Sequence, residues 1–310
     1  MDSELVIKLF LAIVRTFVYF GLGALTCALG FFGEKESQKF GRFTIDVLCP
    51  FLVLSSISAN YTREDLLNVW QLPLLGFGII AFNALLGYLL KFGMRDKSQD
   101  RIATFLHLAA VNNYFLLPLI VVESLFGGKA VAGLILFNIG STVSYWTIGI
   151  AALGGSSLRQ ALRNLCSINT FAMIVALVMV WFGWKLPTPV ATVAGDIGGI
   201  SVPLSLILTG SALYFARRSF LRAPWDAFYL SVVRLLVIPA LTIAVLKLIP
   251  LDEVAAQVAM TVAVMPVSCS SVLIVQRYGG SVDFAGQSVM ITTLASLLTM
   301  PLFFAFFSLV

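Results

Sequence analysis

Charged side chains are scarce in this chain. They make up 11% of its 310 residues, while 59% are hydrophobic. Soluble domains carry roughly 25% charged residues, so this chain cannot clothe a whole surface with solvated groups. Its mean hydropathy of +0.98 fits lipid as the solvent. Histidine is nearly absent: His107 stands alone. With one histidine and scattered acids, no catalytic metal centre is expected. There is no GxSxG, HExxH or P-loop sequence, which argues against an enzyme and against a self-contained ATP-driven pump. The four cysteines (Cys27, Cys49, Cys166 and Cys269) lie dispersed in or beside apolar runs without CxxC pairing. They read as small buried hydrophobes rather than a disulfide or zinc framework. No continuous basic face with interleaved aromatics occurs, so nucleic acid is not an expected partner. The first residues, Met1-Asp2-Ser3-Glu4, lack the basic region and cleavage site of a signal peptide, and the first apolar run is expected to be a retained span.

What the chain has in abundance is long apolar runs. Ten are legible: Leu5–Phe31, Phe40–Ser58, Trp70–Phe92, Ile102–Leu125, Val131–Leu153, Ile168–Trp184, Val190–Ala216, Ala227–Leu248, Val254–Gln276 and Phe284–Leu309. Each is about the 20 residues that a helix needs to cross hydrocarbon. They are apolar all round, unlike the short alternating strands of a membrane barrel. The loops after runs 1, 3, 5, 7 and 9 hold thirteen Lys and Arg, from Lys35 to Arg277, whereas the alternate set holds five: Lys8, Arg63, Lys129, Lys185 and Lys247. Basic loops stay in the cytoplasm, so both termini are expected outside. Cysteines introduced at Ser3 and Ser156 would be labelled from opposite sides.

Prolines reveal a repeat. Pro50 and Pro118 are 68 residues apart, and Pro203 and Pro266 are 63 apart. After the second proline of each pair comes an aromatic-Gly-Gly turn, Phe126-Gly127-Gly128 and Tyr278-Gly279-Gly280. Runs 1–5 thus echo runs 6–10, and an odd number of spans per repeat inverts the second relative to the first. Matched, proline-broken spans in two inverted halves are the strongest sequence pointer to a transport site. The expected architecture is all-α, with ten transmembrane helices in two inverted five-helix repeats, residues 1–155 and 156–310, and broken helices 4 and 9.

Polar residues gather at those breaks. Span 4 carries His107, Asn112, Asn113, Tyr114 and Pro118; span 9 carries Pro266, Ser268, Ser270 and Ser271. Amides and hydroxyls donate and accept, half-helix N-termini add a positive dipole end, and carbonyls freed by proline need partners or a wet cavity. The functional reading is a cradle of neutral donors for an organic anion; the alternative is that these residues glue helices together. Asp46 and His107 are the candidates for a coupling proton or cation. Against that, Asp46 reads equally as an interfacial partner of Arg42, and His107 as a hydrogen-bonded histidine at the interface. Arg15 and Arg234 are expected to snorkel to the faces. Gly140 and Ser141, beside Asn138, would permit close helix packing.

The motifs resemble the auxin efflux carrier family, which includes bacterial organic-acid transporters and the plant PIN carriers. In the first half they are Asn113-Tyr114, Leu117-Pro118-Leu119, Phe126-Gly127, Leu136-Phe137-Asn138 and Tyr145-Trp146-Thr147-Ile148-Gly149. In the second half they are Met265-Pro266, Arg277-Tyr278-Gly279, Val282-Asp283, Thr292-Thr293-Leu294 and Met300-Pro301-Leu302. The resemblance covers nearly the whole chain. It implies helices 4 and 9 crossing at the membrane centre, helices 1, 2, 6 and 7 as a scaffold, and helices 3–5 and 8–10 as an elevator-type transport domain. It also implies a mono- or dicarboxylate substrate, a homodimer, and, given the short loop from about Gly154 to Leu165, a bacterial-type carrier in the inner membrane. Tyr114 and Phe115 stand where many members have glycine, which reshapes the pocket. No cofactor is expected beyond H⁺ or Na⁺ as a coupling ion. The rival reading is a sodium- or proton-coupled carrier of the bile-acid or cation/proton type, and a further one is a sensor built on a transporter fold.

Overall fold

In hydrocarbon every backbone N–H and C=O must find a partner inside the protein, and a helix does this locally. The computed structural model describes residues 3–68, 70–155, 167–220 and 225–307. Among them regular structure is helical, apart from one isolated bridge. In chain order the helices are α1 (Ser3–Ala28), α2 (Glu34–Phe43), α3 (Cys49–Asn60), α4 (Arg63–Asn68), α5 (Gln71–Leu90), α6 (Gln99–Ala110) and α7 (Leu116–Ser144), followed by α8 (Ile168–Trp181), α9 (Thr188–Phe220), α10 (Trp225–Val232), α11 (Ile238–Leu246), α12 (Glu253–Ala263), α13 (Ser271–Tyr278) and α14 (Val282–Phe307). Among the described residues, six helical stretches can cross a membrane by length and composition: Glu34–Asn60, Arg63–Gly93, Leu116–Gly149, Thr188–Phe215, Trp225–Leu246 and Val282–Phe306. Val14–Ala28, Ile168–Trp181 and Glu253–Ala263 are shorter apolar helices. Ser156, Arg159, Arg163, Cys166 and Arg222, used in the sequence reading, lie outside the described residues, as does the boundary at 155/156.

Wide π-helical turns interrupt three helical runs: Thr44–Leu48 between α2 and α3, Tyr145–Gly149 after α7, and Val233–Val237 between α10 and α11. Pro50 and Pro239 follow the first and third, in the opening turns of α3 and α11, where a missing N–H is tolerated. The aromatic-Gly-Gly turns are real. Gly127 breaks α7 with φ 76° and ψ −168°, and Gly279 and Gly280 follow α13 with φ 96° and 126°. That left-handed region favours glycine.

Small residues let the helices approach backbone to backbone. A Cβ on Gly140 of α7 would meet the Pro73 carbonyl of α5, and one on Gly76 would meet the Phe137 carbonyl. Ser144 Oγ donates to the Phe77 carbonyl across the same seam at 2.9 Å. Gly23 of α1 and Gly210 of α9 make the corresponding seam, against the backbones of Ile207 and Phe20. In one part of the molecule α1 and α3 lie on α9, and α3 also lies on α8; in another, α5, α6 and α7 pack with α10–α14; the two parts meet where α14 lies on α9 and where α7 lies on α1 and α3.

Loops that the charge pattern places on one side meet one another. Asp226, 2% exposed at the start of α10, accepts from the N–H groups of Arg95 and Asp96 at 2.7 and 3.3 Å and pairs with Arg101 at 3.6 Å. On the opposite set, Lys129 pairs with Asp65 at 2.7 Å and Arg63 sits over Trp181 at 4.6 Å. Removing one partner of a buried, hydrogen-bonded pair is strongly destabilising. Asp226→Ala is therefore expected to lower Tm by roughly 5–10 °C and to speed tryptic cleavage at Arg95 and Lys97 in limited proteolysis.

Candidate functional site

Helix α6 ends at Ala110 and α12 ends at Ala263. The chain then runs extended through each break, and the two extended segments pair as an antiparallel bridge, Asn112 opposite Val267. The Asn113 N–H donates to the Pro266 carbonyl at 2.8 Å, and the Ser268 N–H approaches the Val111 carbonyl at 3.5 Å. The two breaks thus cross, and each satisfies part of the other's backbone.

The prolines act differently from the sequence expectation. Pro118 is the third residue of α7, where the first four N–H groups have no intrahelical acceptor, so it frees no carbonyl. Pro266 lies in the extended segment beyond α12, where the Val262 carbonyl accepts from the Met265 N–H at 3.2 Å. Asn112 adds a second donor to that carbonyl: its Nδ2 donates to it at 2.6 Å. Asn112 is fully buried, and its Oδ1 has no donor among the described residues. Its amide N–H is thereby engaged in holding the crossing together.

Asn113 has a different role. Its Oδ1 accepts from the Leu117 N–H at 3.3 Å, heading the N-terminus of α7, while no described group accepts from its Nδ2. It is 7% exposed. Beside it Tyr114 is half-buried, with its ring 5.8 Å from that of Tyr145. Tyr145 stands edge-on to Trp146 at 5.2 Å. Ser268 and Ser270 share a hydroxyl contact at 2.9 Å, and Ser270, which precedes α13, is exposed. Asn113, Tyr114, Ser268 and Ser270 therefore form the accessible face of the crossing, with Tyr145 and Trp146 as its aromatic wall.

His107 is buried completely rather than placed at an interface. Its Nδ1 meets the Gly149 carbonyl at 2.7 Å and its Nε2 the Ser271 hydroxyl at 3.2 Å. A carbonyl only accepts, so Nδ1 carries the proton, and in the neutral ring Nε2 accepts from Ser271. The ring ties α6 to α13 and to the π-turn. Asp46 is exposed in the turn Thr44–Leu48, which packs on α2, α3, α8 and α9. It has no ion pair with Arg42 among the described residues, and the structure does not bring it to the crossing.

Arg234 corrects the sequence reading. It does not snorkel; it is 0% exposed. Its Nη1 donates to the Ala109 carbonyl at 3.1 Å. Nη2 donates to Ala263 and Met265 at 3.4 and 3.2 Å, and Nε to Met265 at 3.3 Å. Asn83 supports the same place, with Nδ2 3.5 Å from the Ala110 carbonyl and Oδ1 accepting from Thr242 at 3.3 Å. The sequence signal for Arg234 was its depth in an apolar run ahead of Pro239. Which way the side chain runs is set by the π-turn that carries it.

A separate cavity of about 570 Å³ opens between α3, α7 and the start of α9. Ser55, Ser58, Asn60, Glu123 and Lys185 give it a polar lining. It lies toward the sparsely basic set of loops.

A sequence profile described as membrane transport protein matches residues 6–158 and 156–304. An uncharacterized transporter of Methanothermobacter thermautotrophicus is 26% identical over 288 residues, spanning 91% of this chain and 92% of that protein. An uncharacterized transporter of Methanocaldococcus jannaschii is 21% identical over 288 residues, spanning 91% and 93%. Together the profile and the crossed breaks identify an integral, multi-pass membrane protein. The chain belongs to the membrane transport protein family, the auxin efflux carrier family that its motifs resemble.

Proposed function

We propose that this transporter is a secondary carrier of small organic anions, mono- or dicarboxylates, with the crossing as its substrate site. The observation that carries the reading is the pair of half-helices, α7 and α13, that start at one crossing with Asn113 and Ser270 at their heads. Such N-termini present a positive dipole end to a carboxylate; at α7 the Leu117 N–H is held by Asn113 Oδ1 and Pro118 has none, so the dipole and the side-chain donors carry the reading there. Asn113 Nδ2 and the hydroxyls of Ser268, Ser270 and Tyr114 complete the donor set, and Tyr145 and Trp146 face the apolar part of the substrate. The side chains that touch the crossing are amides, hydroxyls, imidazole and guanidinium; no described carboxylate is among them. This favours an anion over the cation of the antiporter reading.

In this reading residues 1–155 and 156–310 are inverted repeats. Helices α1–α3, α8 and α9 stand as the scaffold, and α5–α7 with α10–α14 slide past them as an elevator. The packing of α1 and α3 on α9, of α8 on α3, and of α5–α7 with α10–α14 supports it, with α14 against α9 and α7 against α1 and α3 as the sliding contacts. The polar cavity lined by Glu123 and Lys185 is the approach from the outer side.

Thermal unfolding of the purified protein against a panel of carboxylates, with and without Na⁺ and at acidic and neutral pH, tests the proposal. A bound anion at about 100 times its Kd adds about 2.7 kcal/mol, or roughly 5–8 °C in Tm. That shift is expected for the wild type and absent in Asn113→Ala, whose own loss of a helix cap costs only about 1 kcal/mol. If no anion shifts Tm while Na⁺ or pH alone does, the cation-coupled reading replaces this one.

A further inference from the structure

Arg234 is a full positive charge in the centre of the protein, and among the described residues no carboxylate lies within ion-pair distance of it. A buried guanidinium left uncompensated would be strongly unfavourable. Its compensation comes from backbone. Ala109 lies in the last turn of α6, Ala263 is the last residue of α12, and Met265 lies just beyond it. Carbonyls at helix C-termini have no intrahelical donor, and each helix end carries roughly half a negative charge. Two such ends converge where the helices break, and the planar five-donor fork of arginine reaches carbonyls of both. Asn112 and Asn83 satisfy the adjoining carbonyls of Val262 and Ala110, but both are neutral.

We propose that Arg234 is the built-in cation of the crossing. It occupies the place where the converging carbonyls of α6 and α12 would otherwise gather a monovalent metal ion, and so frees the crossing from any need for sodium. Arg234 is a positioning residue. It fixes the two C-terminal ends, and through the bridge at Asn112 it fixes the N-terminal ends of α7 and α13 that face the substrate. The inference rests on the crossing being the functional centre, but its test uses no substrate, so it stands or falls independently of the anion reading.

The experiment is thermal unfolding of the full-length protein in NaCl, KCl and choline chloride at equal ionic strength, for the wild type, Arg234→Lys and Arg234→Ala. Each is repeated with low-millimolar methylguanidinium. The wild type is expected to show the same Tm in all three salts. Arg234→Ala is expected to lose roughly 10 °C and to regain part of it with methylguanidinium or with Na⁺, but not with choline. Arg234→Lys, which keeps the charge but not the fork, is expected to fall between them. If Arg234→Ala does not fold, the wild type and Arg234→Gln, neutral at that position, decide. Saturable stabilisation of the wild type by Na⁺ over choline overturns the proposal, as does an Arg234→Gln protein no more stable in Na⁺ or methylguanidinium than in choline. An Arg234→Ala protein that folds but responds to neither cation also overturns it, since a merely structural arginine would give that result.

Discussion

Gly140→Val is expected to abolish a stable fold, whereas Gly78→Ala on the neighbouring helix is expected to leave it nearly unchanged. At Gly140 the first added carbon already meets the Pro73 carbonyl, with the Phe77 nitrogen at 2.7 Å. Those obstacles are backbone, so no rotamer change relieves them. The two helices must separate, and Ser144 then loses its 2.9 Å bond to Phe77 and Ser141 its 3.3 Å bond to Gly76. In lipid nothing hydrophobic pulls the helices back together, because the chains around them are as apolar as the seam. Overpacking typically costs about 1–3 kcal/mol per site where side chains can yield, and a backbone collision exceeds that range. Gly78 of α5 has nothing within 4 Å of an added Cβ. The readout is the monodisperse fraction on size exclusion after heating. A Gly140→Val protein as stable as Gly78→Ala would show that the α5–α7 seam is not as close as described.

The second large effect is expected at Asn112, and its character separates it from its neighbour. Asn112→Ala removes the side-chain bond that ties the break after α6 to the Val262 carbonyl, leaving that carbonyl only its 3.2 Å bond from the Met265 N–H. Losing a buried hydrogen bond costs about 1–2 kcal/mol, or roughly 2–5 °C in Tm. Asn113→Ala removes only the cap on α7 and the free Nδ2, so its main loss is the response to ligand. Asn112→Asp keeps the shape but not the Nδ2 donor, and is expected to lose at least as much stability as Asn112→Ala. An Asn112→Asp protein as stable as the wild type would show that the bond to Val262 does not hold the crossing.

Much of this protein was determined by its sequence alone. Long apolar runs can only be helices in lipid, because no other local structure satisfies the backbone there. The glycines of the Phe126 and Tyr278 turns sit at backbone angles that other residues avoid. The alternation of basic loops correctly grouped those that touch, such as the segment around Arg95 with the start of α10. The polar clusters at Asn112–Tyr114 and Ser268–Ser271 marked the breaks. The tertiary structure alone decided how those breaks are used. A charge at position 234 can run along its helix to either face or inward, and its direction depends on a π-turn and on two helix ends more than a hundred residues apart in sequence. The amide of Asn112 looked like a ligand group because its acceptor, the Val262 carbonyl, becomes a neighbour only when the two breaks cross. Asp46 stood as a coupling candidate because hydropathy counts residues along the chain, whereas exposure depends on which helices come to lie beside it.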